Sequence, residues 1–256
     1  MSDKVRIVLG GCNGRMGHVV RQIAGEDDRA EIAAGIDLCS GDADFPVFAK
    51  ASDCDVDCDV MIDFSSPAAL TDLLDFAVRT GTPAVLCATG YSKEQLEEIG
   101  EASKKVAILR SANMSLGVNT IARLVKEAAK LLAGEGYDID IVERHHRHKA
   151  DAPSGTALLL ADAANSGIRE TVGETYEYCY DRTGRRMERP VAEIGISSVR
   201  GGSIVGDHEV IFAGLDEVVE IRHSAYSKAV FAKGAVKAAK FLKGKPAGMY
   251  GMSEVI

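Results

Sequence analysis

Three of the six histidines fall within four residues, in the run Glu143-Arg144-His145-His146-Arg147-His148-Lys149. The chain carries a net charge of −8, and an acidic protein that handles an anionic ligand must concentrate its cations locally. Imidazoles titrate near neutral pH, so the run is equipped for acid–base work. His145 and Lys149 stand four apart, a spacing that places them on one side of either a strand or a helix. Asp151-Ala152-Pro153-Ser154-Gly155-Thr156 follows at once. Ser154 has the character of a helix N-cap, and a helix start at Gly155 and Thr156 offers backbone N–H groups to an anion such as a carboxylate. Two other readings compete, a solvated basic strand end and a metal site. The metal reading is the weaker, because Arg and Lys flank the imidazoles and no acidic or Cys ligand set accompanies them.

A second constellation lies near the N-terminus. Gly10-Gly11-Cys12-Asn13-Gly14-Arg15-Met16-Gly17 stands between an apolar strand, Val5 to Leu9, and a helical segment, Met16 to Ala24. Glycines there permit a tight turn and close approach to a pyrophosphate, whose charge a helix N-terminus stabilises. Asn13 occupies the place of the usual second glycine, and Asn tolerates positive φ better than most residues. Asp37 lies 20 residues past Gly17, at the end of the strand Glu31 to Ile36, where an acid accepts hydrogen bonds from the adenosine ribose. A carboxylate there favours NAD(H) over NADP(H). Leu38 supplies no cation for a 2′-phosphate, and Arg15 is the candidate that would. Cys87-Ala88-Thr89-Gly90 and Ser111-Ala112-Asn113-Met114 each close a parallel strand at its carboxyl end, the edge where such sheets bind ligands.

The elements that must position these residues follow from periodicity. Strands Val60 to Phe64, Ala84 to Cys87 and Val106 to Leu109 alternate with helices from Pro67 to Arg79, from the capping-box sequence Ser92-Lys93-Glu94-Gln95 to Ser103, and from Leu116 to Leu132. Residues 40–58 read as polar and irregular. That alternation predicts a parallel sheet covered on both faces. Beyond Leu116 the pattern changes. The strand Asp138 to Glu143 and a helix from Gly155 to Asn165 precede strands at Tyr176–Tyr180, Ile194–Val199, Glu209–Ala213 and Val218–His223, and a last helix spans Lys228 to Leu242. The fold class is therefore α/β: a Rossmann-like parallel-sheet nucleotide domain, plus an α+β domain with a mostly antiparallel sheet.

Composition bounds the function. The charge of −8 argues against a nucleic-acid or anionic-membrane partner. No stretch reaches the ~20 apolar residues of a membrane span, and Met1-Ser2-Asp3-Lys4 leads into an apolar block too short for a signal peptide, so the expected location is cytoplasmic. The six cysteines form no C-x-x-C pair and read as reduced thiols.

Glu143-x-His145-His146-x-x-Lys149-x-Asp151-Ala152-Pro153-Ser154-Gly155-Thr156-Ala157 closely resembles the signature of the bacterial 4-hydroxy-tetrahydrodipicolinate (dihydrodipicolinate) reductases of lysine and diaminopimelate synthesis. The similarity extends over essentially the whole chain, including Gly14-Arg15-Met16-Gly17, Ile62-Asp63-Phe64, Ala88-Thr89-Gly90, Ser115 to Asn119 and Gly206-Asp207-His208. The resemblance implies hydride transfer from NADH or NADPH to a small cyclic dicarboxylate with loss of water, and no metal. It implies His145 as proton donor and acceptor, Lys149 as second proton donor, and His146, Gly155 and Thr156 as substrate-carboxylate contacts. The turn Gly11, Cys12, Asn13, Gly14, Arg15 and Met16, together with Asp37, Cys87, Ala88, Thr89, Ser111, Ala112, Asn113 and Met114, matches cofactor contacts. It also implies residues 1–114 and 229–256 as the dinucleotide-binding domain, residues 115–228 as the substrate-binding and tetramerisation domain, and a homotetramer.

Three positions depart from the family pattern. Met114 stands where an aromatic is frequent, Cys87 replaces a common glycine, and Lys228 replaces a frequent arginine. Two alternatives stand beside the reductase: another two-domain NAD(P)-dependent small-acid dehydrogenase, and a non-catalytic nucleotide-sensing protein.

Overall fold

β1 (Val5–Gly10) buries every residue except the half-exposed Arg6, the pattern of a strand covered on both faces. This computed structural model describes residues 4–39 and 41–256; Met1, Ser2, Asp3 and Ser40 lie outside the described residues. The chain divides into two units. Unit 1 extends to Leu116 and resumes at Lys228, and unit 2 is Gly117–Ser227.

In unit 1, β1 is followed by α1 (Arg15–Gly25), β2 (Ala30–Ile36), β3 (Val47–Phe48), β4 (Val60–Asp63), α2 (Leu70–Thr80), β5 (Ala84–Leu86), α3 (Lys93–Ser103) and β6 (Ala107–Arg110). α4 (Leu116–Leu132) leads into unit 2, and α6 (Ala229–Leu242) and β12 (Gly248–Tyr250) return to unit 1. The seven strands are parallel, in the order β12-β6-β5-β4-β1-β2-β3. The chain leaves β1 in one direction for β2 and in the other for β4, so a crevice opens at the carboxyl ends of those strands. α3 starts on a complete capping box, Ser92 accepting from the Gln95 N–H while the Gln95 side chain accepts from the Ser92 N–H. α6 packs on the turn after β6 so closely that a Cβ at Gly234 would lie 1.7 Å from the Met114 carbonyl oxygen.

Unit 2 holds β7 (Asp138–His145), α5 (Gly155–Val172), β8 (Glu177–Cys179), β9 (Glu193–Arg200), β10 (Gly206–Ala213) and β11 (Val218–Ala225). Its strand order is β11-β10-β7-β9-β8. β10 runs antiparallel to both β7 and β11, whereas β9 runs parallel to both β7 and β8, so the sheet is mixed, with more residues paired antiparallel than parallel. β7 alternates strictly, and its buried face carries Ile139, Ile141, Glu143 and His145 in succession. Two apolar residues anchor the strand in the core, and the next two inward positions deliver an acid and an imidazole.

Two local expectations change. The helix expected to end at Asn165 continues to Val172 and closes on Gly173 in the left-handed conformation. Asn165 and Gly167, within the helix, serve packing. The Asn165 amide donates to the Tyr176 carbonyl at 2.9 Å and accepts the Tyr176 N–H at 2.7 Å, and a Cβ at Gly167 would lie 2.1 Å from the Lys126 carbonyl oxygen on α4. The stretch 40–58 contains β3, two residues long, and β12 also adds an edge strand. Among the described residues, no helix is long and apolar enough to cross a membrane.

Candidate active site

In unit 2 the inward face of β7 ends in a polar cluster. The Glu143 carboxylate is fully buried and is hydrogen-bonded by Arg200, Ser154 and His145. Arg200 donates through both terminal nitrogens, Nη1 to Oε2 and Nη2 to Oε1, each at 2.7 Å. The Ser154 N–H donates to Oε1 at 3.1 Å, and His145 Nδ1 lies 2.6 Å from Oε2. Burial pushes this carboxyl up, but the hydrogen bonds from Arg200, Ser198 and His145 outweigh it and hold it down at about 2. Glu143 is therefore an anion, and the short contact to His145 requires a proton on Nδ1. That leaves Nε2 as the exchangeable end, beside Gly206, where a Cβ would come within 3.0 Å of it. Burial lowers the His145 pKa, Glu143 opposes that, and Lys149 and Arg200 add to it. The ring of His208 meets His145 edge-on at 5.1 Å between centroids. Burial, then His145, bring His208 down to about 4, so it is neutral and lies 3.0 Å from the Ser154 hydroxyl.

Ser154 joins this cluster to a helix. Its hydroxyl accepts from the Ala157 N–H at 3.2 Å as the N-cap of α5, and its own N–H belongs to Glu143. The N-terminus of α5, at Gly155 and Thr156, is thereby tied to the acid that orients His145. Gly155 is exposed and Thr156 half-buried. In the intervening turn Lys149 Nζ pairs with Asp151 at 2.8 Å, and the Asp151 carbonyl accepts from Arg200 at 2.6 Å. His146 is half-buried, and its Nδ1 is buried without a hydrogen-bond partner. The structure thus brings together His145, Lys149 and the α5 start, with His146 at the head of the same turn. Arg147 and His148 are exposed, and Arg144 turns to Glu209 at 3.0 Å. Arg200 was not singled out by sequence reasoning. It lies 57 residues from Glu143, and only the parallel pairing that places His145 opposite Arg200 reveals it. Among the described residues, no group of three or more His, Cys, Asp or Glu is arranged to hold a metal ion.

Unit 1 carries a separate cavity of about 670 Å³, within the range of cofactor pockets. Gly11, Gly14, Asp37, Leu38, Lys50 and Ser65 are among its walls. Gly11 has a φ of 72°, and a Cβ there would lie 2.9 Å from the Phe64 carbonyl oxygen, so only glycine suits the turn. Gly14 is the N-cap of α1 and offers no capping side chain, and no acid stands in the first turn. The first-turn N–H groups of α1 are thus left to an anion, as a pyrophosphate site requires. Asp37 is fixed by the turn it faces: Oδ2 accepts from the Asn13 N–H and Oδ1 from the Cys39 N–H, both at 2.9 Å. Each oxygen keeps a lone pair for a ribose hydroxyl. These features fit a dinucleotide.

The remaining expected contacts divide into two groups. Asn13, Arg15, Met16, Ala88, Thr89, Ser111 and Ala112 keep some exposed surface at or beside the carboxyl-end loops. Cys12, Cys87, Asn113 and Met114 are buried. The Cys12 thiol packs against Gly35, where a Cβ would lie 2.5 Å from it, and Cys12 and Met114 side chains belong to the unit 1 core. Their side chains are therefore turned away from the cavity surface, which leaves only their backbone atoms for a ligand. Asn113 spends its side-chain oxygen on the Ser115 N–H at 2.8 Å, and its backbone carbonyl accepts from the Ser111 hydroxyl at 2.8 Å, so it builds the loop after β6.

Residues 5–114 match the family profile described as dihydrodipicolinate reductase, N-terminus, and residues 117–256 the one described as dihydrodipicolinate reductase, C-terminus. Two relatives named 4-hydroxy-tetrahydrodipicolinate reductase come from Clostridium tetani and Caldanaerobacter subterraneus. The first is 51% identical over 97% of this chain and 95% of its own, the second 49% over 98% of each. A solved structure of dipicolinate-bound dihydrodipicolinate reductase from Paenisporosarcina sp. TG-14 has a TM-score of 0.80 at 21% identity, covering 99% of this chain and 100% of that one, a likeness of fold. A diaminopimelate dehydrogenase from Corynebacterium glutamicum shares less, with a TM-score of 0.55 at 17% identity over 99% of this chain and 94% of its own. With both halves matched in order and half the residues identical to relatives of the same length, the chain belongs to the dihydrodipicolinate reductase family.

Proposed function

We propose that this chain reduces 4-hydroxy-tetrahydrodipicolinate to tetrahydrodipicolinate with NADH or NADPH, serving lysine and diaminopimelate synthesis. The observation that carries this reading is the Glu143-held His145, joined through Ser154 to the N-terminus of α5 in a chain of this family. Bound in unit 1, the nicotinamide supplies the hydride; the residues of unit 2 supply binding and protons. The α5 N-terminus at Gly155 and Thr156, with His146, receives substrate carboxylate. His145 Nε2 and Lys149 Nζ are the two proton-carrying atoms. In the ligand-free protein the His145 pKa is lowered, chiefly by burial, which favours the neutral ring. A dicarboxylate beside it reverses the balance, because adjacent anions favour the imidazolium. His145 is charged for proton delivery when substrate is present.

In unit 1 the turn from Gly11 to Met16 receives the pyrophosphate and Asp37 the ribose, while the loops Cys87–Thr89 and Ser111–Met114 border the nicotinamide. The Asp37 charge and the exposed Leu38 beside it support use of NADH at least as well as NADPH. The same reading expects a cytoplasmic homotetramer; the exposed Val218 and Val219 on the edge strand β11 support assembly through the unit 2 sheet. One assay tests the reading: NADH and NADPH oxidation with freshly generated cyclic substrate, set against open-chain keto and amino acids. Turnover restricted to the cyclic dicarboxylate supports it. Turnover of an open-chain acid instead, or cofactor binding without turnover of any substrate, would replace it.

A further inference from the structure

Arg200 is the last residue of β9 and stands opposite His145 in the parallel register with β7. Its guanidinium binds two parts of the site at once. Both terminal nitrogens engage the Glu143 carboxylate, and Nη2 also donates to the Asp151 carbonyl at 2.6 Å. Through Glu143 it bears on His145 Nδ1 and on the Ser154 N–H that opens α5; through Asp151 it bears on Lys149. A planar fork satisfies two carboxylate oxygens with parallel bonds, a geometry an ammonium does not reproduce.

We infer that Arg200 is a positioning residue for the reduction: it clamps Glu143 so that His145 keeps its proton on Nδ1 and presents Nε2, while holding the Lys149 turn and the α5 N-terminus in register with that imidazole. The inference rests on the reductase reading of the same site.

The charged and titratable groups facing His145 are Glu143 on its own strand, Arg200 on β9, Lys149 and Asp151 in the turn, and His208 on β10 with Asp207 and His223 behind it. Among the described residues, Glu143 is the one anion hydrogen-bonded to the ring. With Arg200 present its charge is shared between guanidinium and imidazole. Without Arg200 the whole charge acts on His145, which then binds its proton more tightly, and the Asp151 carbonyl is released. A purely architectural arginine, by contrast, would alter stability and leave the titration of His145 where it was.

The test compares wild type with Arg200→Met and Arg200→Lys. Histidine side-chain ¹⁵N spectra across a pH series, with His145 assigned by its loss in His145→Gln, read tautomer and titration in the substrate-free protein. Steady-state kinetics are measured beside them. Wild type should show the Nδ1–H tautomer at His145. Arg200→Met should move the His145 titration to higher pH and reduce kcat roughly 100-fold, with the KM for NAD(P)H within about twofold. Arg200→Lys should return the titration toward wild type, because the charge is restored, while kcat recovers only in part. If Arg200→Met does not fold, Arg200→Lys carries the test: wild-type kcat in that variant would overturn the clamp. An unchanged His145 titration and tautomer in folded Arg200→Met would also overturn it. A wild-type protein that turns over no substrate defeats the reductase reading instead, and the ¹⁵N result still decides the clamp.

Discussion

Gly17→Ala isolates the link between helix packing and cofactor binding. A Cβ at Gly17 would lie 2.2 Å from the Gly11 carbonyl oxygen and 2.5 Å from that of Cys12, both about 1 Å inside the 3.4 Å at which ordinary contact begins. Both obstacles are backbone, so no side-chain rotation relieves them, and α1 must move away from the turn or the turn must open. Overpacking of this kind costs about 1–3 kcal/mol, against a gain of at most about 1 kcal/mol for replacing glycine by alanine in a helix. The displaced atoms belong to the turn proposed to receive the pyrophosphate. At about 1.4 kcal/mol per tenfold, a net loss of about 2 kcal/mol in the bound geometry weakens cofactor affinity roughly 30-fold. NADH fluorescence titration measures the Kd directly, and thermal unfolding reports stability. Gly25→Ala is the control: a Cβ there meets nothing within 4 Å, so its Kd should stay at the wild-type value. Equal affinity in Gly17→Ala and wild type, or an equal loss in Gly25→Ala, would refute the reasoning.

Other consequences are independent of that turn. Asn165→Leu strands the buried Tyr176 N–H and carbonyl, which costs about 2–4 kcal/mol in denaturant unfolding; a midpoint unchanged from wild type would contradict the double hydrogen bond. His208 is held down to about 4 by burial and by His145, below the ordinary 6.5. A depressed folded pKa means that the unfolded chain binds the extra proton, so its contribution is present above pH 6.5 and is lost as pH falls toward 4, on the order of 3 kcal/mol. His208→Gln should flatten the stability profile across that window, and an unchanged slope would show that His208 does not titrate there.

Where the chemistry lay close in sequence, the elements were readable. The Gly11-to-Gly17 turn, the capping box at Ser92 and Ser154 before α5 are local devices whose side chains act within three or four residues. The run from Glu143 to Lys149 was readable because β7 alternates, so its inward positions include Glu143 and His145. Arg200 was not, because its partner is reached only through the pairing of β9 with β7. The helix runs past Asn165 for a related reason: Asn165 and Gly167 are poor helix residues tolerated by tertiary contacts, one with Tyr176 and one with Lys126. At the cofactor edge, a motif match by position does not tell side chain from backbone. Cys12 and Met114 fall in the matched segments, yet both point into the core.

The central claim is that His145 carries a proton in the reduction. Its most direct test is His145→Ala in a steady-state assay with freshly generated cyclic substrate, alongside NADH binding by the same variant. In this variant kcat/KM should fall by about 10²–10⁴ with the cofactor Kd unchanged, because His145 belongs to unit 2 and the cavity proposed for the nucleotide is lined by unit 1. Wild-type kcat/KM in His145→Ala would contradict it.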